Sequence, residues 1–446
     1  MKYLKQASYT SASKNEETSD TVAELLTEIE RNGEDAVRHY NANLDDWMGE
    51  VIVPQASFDR ANRILPNSVK EDLQFAHSKV HAFAKRQRDS MQEFEIELSD
   101  GLVAGQRLIP VTTAGCYVPG GRYAHAASAI MSAGTANAAG VKNVIATTPA
   151  RAPDGIHPAI LYALDLCNVT TTLAAGGVQG VASLAFGLFT GKPADIVVGP
   201  GNRFVAEAKR ILFGQVGIDV LAGPTESLII ADDTADPDVI AADLVGQAEH
   251  GQDSPVWLIT YSEAVAKAVL LKIPQVIQSL PDPARTVADS AWQNCGEVII
   301  VADREEACSV SDDYAPEHLH VQASDLDWWL KKLQNYGSLF LGEETTVAFG
   351  DKCSGPNHIL PTKKAARYTG GLSVSKFIKV LTYQRMTREA TEQVAPVAAR
   401  ISRLEGMEGH ARTADVRIEK YFPSGEYDLN GPNFDWTAGE IDDEDT

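Results

Sequence analysis

The stretch TTLAAGGVQGVASLAF, residues 171–186, decides the fold class. Thr171–Ala174 is a short strand-like run. The turn Gly176-Gly177-Val178-Gln179-Gly180 follows it, and a segment of helical texture comes next. Strand, glycine turn and helix in that order are half of a βαβ unit. The pattern extends in both directions from there. Val144–Ala146, Asp195–Val198, Leu228–Ala231, Val256–Thr260, Val298–Val301 and Ser338–Leu341 are further short apolar runs between helical patterns. The chain from about residue 111 therefore reads as α/β, with parallel strands and helices on both faces. It holds enough strands for two sheets, and a boundary near residue 250, after a long helix, separates them.

Outside that region the texture differs. Residues 19–110 read as helical with one strand-like stretch. Val22, Leu25, Leu26 and Ile29 form one apolar helical stripe, and Leu73, Ala76, Val80 and Phe83 repeat it. Thr21 with Glu24 suits a capping box, and Asn32-Gly33 suits a helix stop. Residues 361–420 return to helix and loop. Residues 421–446 hold eight acids, three Gly, two Pro and no Lys or Arg, which predicts a loosely draped acidic tail.

Composition narrows the function. The 446 residues are 44% hydrophobic and 22% charged, as in ordinary globular proteins. A net charge of −22 disfavours nucleic acid and anionic membranes as partners, because both reward clustered Lys and Arg. Five widely spaced cysteines, Cys116, Cys167, Cys295, Cys308 and Cys353, include no C-x-x-C and suggest neither a disulfide framework nor a cysteine zinc knuckle. No apolar run approaches the roughly 20 residues of a spanning helix, and the polar stretch Met1–Glu17 does not resemble a secretory signal. These features predict a cytoplasmic protein.

Five features carry chemistry. Open α/β sheets bind ligands at the carboxyl ends of their strands. Three glycine turns fall there: Val118-Pro119-Gly120-Gly121, Gly176–Gly180 and Gly199-Pro200-Gly201-Asn202. None is G-x-G-x-x-G, yet each precedes a helix whose N–H groups suit phosphate. In Gln247-Ala248-Glu249-His250, residues 247 and 250 share a helix face, either as a metal pair or as a polar helix end. Asp236 and Pro237 mark where that helix starts. In Pro316-Glu317-His318, an acid and a base adjoin; they serve one cavity only from a loop, since strand neighbours point apart. Asp351 and His358 flank a Gly-Pro loop, and Glu405 and His410 flank a turn with two Gly. Alone, these features give an α/β enzyme with nucleotide and metal as candidates.

In combination they are more specific. The order Gly115-Cys116-Tyr117-Val118-Pro119-Gly120-Gly121, Gly199-Pro200-Gly201-Asn202, Gly214–Asp219, Ala222-Gly223-Pro224-Thr225-Glu226, Gln247–His250, Pro316–His318, Gly355–Thr362 and Glu405-Gly406 with His410 resembles the histidinol dehydrogenase family over about residues 20–415. The resemblance implies two related, incomplete Rossmann-like domains with helical terminal segments. Its units would be 1–110, 111–250, 251–360, a C-terminal segment 361–420 swapped in a homodimer with shared active sites, and the tail 421–446. It implies an NAD-linked dehydrogenase with one zinc per subunit, oxidising a primary alcohol through the aldehyde to the carboxylate with two NAD. Carried over by position, Gln247, His250, Asp351 and His410 would hold zinc, His410 coming from the other subunit. Glu317 would polarise water and His318 accept protons. Thr225, Gln247, His250, His318, Asp351, His358, Glu405 and His410 would line the substrate site, and Tyr117, Gln179 and Asn202 would contact NAD.

Departures from the biosynthetic pattern bear on the substrate. Ala127 stands where a hydroxyl residue is usual, and Ser128, one step on, faces about 100° away along a helix. Arg122, Tyr123 and His125 follow the Gly-Gly pair, Thr225 replaces serine, and His320 stands where an acid is common. The stretches 115–125 and 366–372 look more like the branch acting on sulfopropanediol (2,3-dihydroxypropane-1-sulfonate). Arg122 suits such an anion, or else serves as a surface or NAD-phosphate contact. The alternative substrate is L-histidinol, oxidised to histidine.

Overall fold

The computed structural model describes residues 1–8, 15–120 and 124–431. Arg122 and the tail beyond residue 431 lie outside the described residues. The chain divides into two units, Met1–Ser90 with Pro110–Ile378 and Met91–Ile109 with Lys379–Thr446.

The first unit is built on two sheets. The five-stranded one is ordered Thr171–Ala174, Asn143–Thr148, Thr113–Tyr117, Ile196–Val198, Gly217–Ile218, and all its pairs are parallel. The six-stranded one is ordered Lys2–Lys5, Glu297–Ile300, Val256–Thr260, Ser227–Ala231, His318–Gln322, Ser338–Leu341. Only its edge strand Lys2–Lys5 is antiparallel. Leaving that edge strand aside, both sheets share one winding. The first strand in sequence is central, the next two add on one side, and the last two add on the other. Each sheet thus has a switch point between its first and fourth strands.

The cores explain the sequence texture. Ser227–Ala231 is buried at every residue. Ile229 packs with the helices Pro237–Ala248, Glu263–Ser279 and Ala284–Cys295, while Leu228 and Ile230 face Ala307 and Trp329 on the opposite side. A strand covered on both faces reads as a continuous apolar run. The helix Asn15–Asn32 buries Val22, Leu26 and Ile29 against the helices Gly177–Phe186 and Arg203–Leu212 of the first sheet. Burying such a side chain is worth roughly 1.5–3 kcal/mol.

The second unit pairs Ile378–Met386, Leu102–Pro110 and Phe94–Ser99 in one sheet and adds the helical hairpin Arg388–Leu404 and Glu408–Tyr421. Phe94, Ile96 and Leu98 alternate along an exposed strand, so one sheet face is apolar and open.

Several expectations need correction. The second sheet begins at Ser227, not near 250, because Ser227–Ala231 pairs with Val256–Thr260 and His318–Gln322. The N-terminal segment does not run unbroken to 110. Residues 94–110 form a hairpin that joins residues 378–386, and Lys2–Lys5 joins the second sheet. Residues 361–378 stay with the first unit. Thr21 caps nothing, since the helix starts at Asn15 and the Thr21 hydroxyl donates to Glu17 O within it. Phe83 is exposed and Ala84 is buried in its place. The first part of the tail is not loose. Phe422, Tyr427 and Leu429 pack on Ala395, Ala399, Ala414 and Ile418, and Arg400 and Arg403 donate to the carbonyls of Asp428 and Leu429 at 2.6 Å.

Candidate functional site

The glycine loops of the first sheet flank its switch point. Tyr117 ends one strand, Val198 the adjacent one, and the loops Val118–Gly120 and Gly199–Asn202 leave them side by side. Gly199 has φ +123°, and a Cβ there would lie 2.0 Å from Tyr117 O, so only glycine lets the two loops approach. A buried ion pair fixes this loop. Lys209 Nζ contacts Asp219 and donates to Gly199 O at 3.0 Å, while Gly199 N donates to Asp219 Oδ2 at 2.7 Å.

The three residues expected at NAD lie here with their side chains engaged. The Tyr117 hydroxyl accepts from Gly177 N at 3.2 Å. The Asn202 side chain caps the helix Arg203–Leu212, accepting from Phe204 N and Val205 N. Gln179 is buried and donates to Asp45 Oδ2 at 3.0 Å, and Asp45 also accepts from Gly176 N. Asp45 thus occupies the turn where the sequence suggested phosphate; burial raises its pKa.

The ionisable cluster lies at the opposite kind of edge. His318 opens its strand and Glu226 immediately precedes Ser227, so both sit at the amino ends of the second sheet. The general rule for open sheets does not locate them. The helix Pro237–Ala248 runs back from the carboxyl ends and delivers Gln247 and His250 to this edge, His250 N donating to Gln247 O at 3.2 Å. Glu317 and His318 lie against one another, His318 Nδ1 3.6 Å from Glu317 Oε2, although His318 is a strand residue rather than a loop residue. Glu317 lies just outside the strand and folds back, its Oε2 accepting from Glu226 N at 3.0 Å.

Hydrogen bonds set the tautomers. His318 Nδ1 donates to the Glu226 carbonyl at 3.0 Å, and Nε2 lies 3.5 Å from Asp351 Oδ1. His358 Nδ1 donates to Asp351 O at 2.7 Å, so the Ser128 hydroxyl donates to His358 Nε2 at 3.1 Å. Burial alone would lower the pKa of His318, but the Glu317 and then the Asp351 carboxylates raise it to about 9. Burial would likewise raise Asp351; the His318 imidazole overrides it and holds the group at about 2. Burial pushes Glu317 and Glu226 up to about 7. His125, near the start of the short helix that carries Ser128, is pushed down to about 4 by burial, then by Lys352 and the imidazoles of His358 and His250.

Ser128 was misread. It is buried and reaches His358, whereas sequence spacing turned it away from the site. Thr225 lies half-buried directly before Glu226. Glu405 and His410 belong to the second unit, one at the end of the helix Arg388–Leu404 and one in the first turn of Glu408–Tyr421, and both are exposed.

The donors suit a divalent cation. Gln247 Oε1 and His318 Nε2 are buried and have no hydrogen-bond partner. Orphaned buried acceptors are costly unless a donor or a cation satisfies them. Among the described residues, no three His, Cys, Asp or Glu side chains converge as a metal-binding group. A cation here would therefore draw on the Gln247 amide or on a further chain. No helix among these residues is long and apolar enough to cross a membrane.

Comparison with known proteins gives a consistent picture. The histidinol dehydrogenase family profile matches residues 9–418. A histidinol dehydrogenase homolog of Ruegeria pomeroyi is 58% identical over 408 residues, covering 92% of this chain and 94% of that protein. A sulfopropanediol 3-dehydrogenase of the same organism is 54% identical over 429 residues, covering 96% and 99%. The crystal structure of histidinol dehydrogenase from Elizabethkingia anophelis superposes with a TM-score of 0.86 at 31% identity, covering 93% and 94%.

Proposed function

This chain belongs to the histidinol dehydrogenase family, and on that premise we propose that it is a zinc-dependent, NAD-linked cytoplasmic dehydrogenase of a small anionic primary alcohol. The substrate would be 2,3-dihydroxypropane-1-sulfonate or a close relative, oxidised through the aldehyde to the carboxylate with two NAD. The observation that carries the reading is the buried Gln247 Oε1, which has no hydrogen-bond partner, together with the His318–Asp351 contact.

Gln247, His250 and Asp351, with His410 of the partner subunit, would hold the zinc. Once bound, zinc supplies a Lewis acid that polarises the substrate oxygen. In its neutral form, which a pKa of about 9 makes abundant only at alkaline pH, His318 would take the hydroxyl proton at Nε2, its ring being oriented by the Nδ1–H bond to Glu226 O. Bound NAD, which Tyr117, Gln179 and Asn202 would hold, would supply the hydride acceptor. Glu317 then directs water at the aldehyde carbon; its raised pKa makes it an effective proton acceptor near neutral pH. A second hydride transfer yields the acid. His358, Thr225 and Glu405 would orient the substrate, and Tyr117, Gln179 and Asn202 the NAD. The open apolar face of Phe94, Ile96 and Leu98 supports a homodimer.

Charge supports an anionic substrate. Lys352 follows Asp351 directly, and its ammonium acts on His125, His250 and His358. Arg122 is a second candidate cation. Lys352 would disfavour cationic histidinol. An NAD-reduction panel with zinc present tests this reading, comparing sulfopropanediol, histidinol and neutral diols. Faster NADH formation with sulfopropanediol is expected; preference for histidinol would overturn the substrate and leave the chemistry.

A further inference from the structure

A second polar network lies two residues along the strand from His318 and a turn along the helix from Gln247. Asp243 stands four residues before Gln247 on the helix Pro237–Ala248, so the two share a face. His320 stands two residues after His318 on its strand, so these also share a face. Thr346 is the N-cap residue of the helix Val347–Lys352, which carries Asp351. The three elements meet at Asp243. Its Oδ1 accepts from the Thr346 hydroxyl at 2.8 Å, and its Oδ2 accepts from Gln322 Nε2 at 2.7 Å. His320 is fully buried. Its Nε2 donates to Gly342 O at 2.7 Å, and its Nδ1 lies 3.3 Å from both Asp243 Oδ2 and Gln322 Nε2. Phe340 fills the remaining space, its ring centroid 6.2 Å from those of His318 and His320. A Cβ on Gly350 would lie 2.6 Å from the Phe340 ring, so this glycine lets the helix close onto it.

We propose that Asp243, through Thr346 and the Gln322–His320 pair, is the joint that fixes the two ligand-bearing helices and the strand carrying His318 in register and so sets the geometry of the cation site. The assignment rests on the zinc reading above. Gln247 and Asp351 come from separate helices, and His318 from a strand between them. Within each element the spacing is rigid, and beside the direct His318–Asp351 contact this network ties the two helices to the strand by side-chain bonds four and five residues from Gln247 and Asp351. Removing a link leaves the cores intact and lets the helices shift by tenths of an ångström. Outer-shell partners of metal ligands act in this way, and their loss typically lowers affinity about 10–100-fold.

Full-length protein loaded with cobalt(II), which takes the same nitrogen and oxygen ligands and absorbs visible light, reports the geometry. Zinc affinity is read by chelator competition. Thr346→Val and Asp243→Asn should each lower zinc affinity by about 10-fold or more and change the cobalt spectrum, while melting temperatures stay within a few degrees. Thr346→Ser should restore both signals. Folded variants with wild-type affinity and spectrum, or variants that lose only melting temperature, would overturn the assignment alone. A wild-type chain that takes up neither metal would overturn the zinc reading and this assignment with it. Should Asp243→Asn fail to fold, the near-isosteric Thr346→Val carries the test.

Discussion

Glu226 shows how much a single residue does at this site. Its carbonyl orients His318, its N–H holds Glu317, and its carboxylate accepts from Lys363 N at 2.8 Å while Oε2 stays buried without a partner. Burial raises that carboxyl from 4.5 to about 7. A raised carboxyl favours the protonated form, so its contribution to stability is present below 4.5 and is lost as pH rises through about 7. Glu226→Gln should therefore melt several degrees higher than wild type at pH 8 and nearly equal to it at pH 4.5. An offset independent of pH would contradict this. Ser128→Ala removes one neutral hydrogen bond to His358, worth about 1 kcal/mol, and should lower kcat/KM about 5-fold with little loss of stability. The sequence marks Glu317, His318, Asp351 and His358 as candidates because they sit in short motifs, and the structure brings these four together. Ser128 could not be read this way. Which residue of a short helix faces a cavity depends on the rotation of that helix about its axis, and neighbouring positions do not fix that rotation.

Elements carry the next layer of the account. The loop Gly199–Asn202 depends on an ion pair from outside it, since Lys209 and Asp219 are both buried. Lys209→Met would leave the Asp219 charge uncompensated and should cost about 3–5 kcal/mol, measured by denaturant unfolding. Gly199→Ala should weaken NAD binding sharply, because its Cβ would meet Tyr117 O. Wild-type NAD affinity in that variant would place the cofactor elsewhere. Strands buried on both faces were visible as apolar runs. The edge strand Lys2–Lys5 and the hairpin 94–110 were not, since their partners, residues 297–300 and 378–386, are hundreds of residues away and edge positions have no continuous apolar texture. The amino-end location of His318 was hidden for a similar reason: it depends on which way the helix Pro237–Ala248 returns along the sheet.

The whole molecule is acidic, with a net charge of −22, and so repels an anionic substrate at long range. That field is screened beyond roughly 8 Å at physiological salt, so local cations such as Lys352 decide what binds. The acidic C-terminal stretch has two parts. Residues 422–431 strap the hairpin that presents Glu405 and His410, whereas most of the acids lie beyond 431. Removing 422–446 should lower the melting temperature by uncovering Ala395, Ala399, Ala414 and Ile418. The central claim is a four-electron oxidation of a small anionic alcohol. It is tested most directly by exhaustive conversion of a known amount of sulfopropanediol by zinc-loaded protein with excess NAD. The account predicts two NADH formed per diol consumed; one NADH per diol, or none, would contradict it.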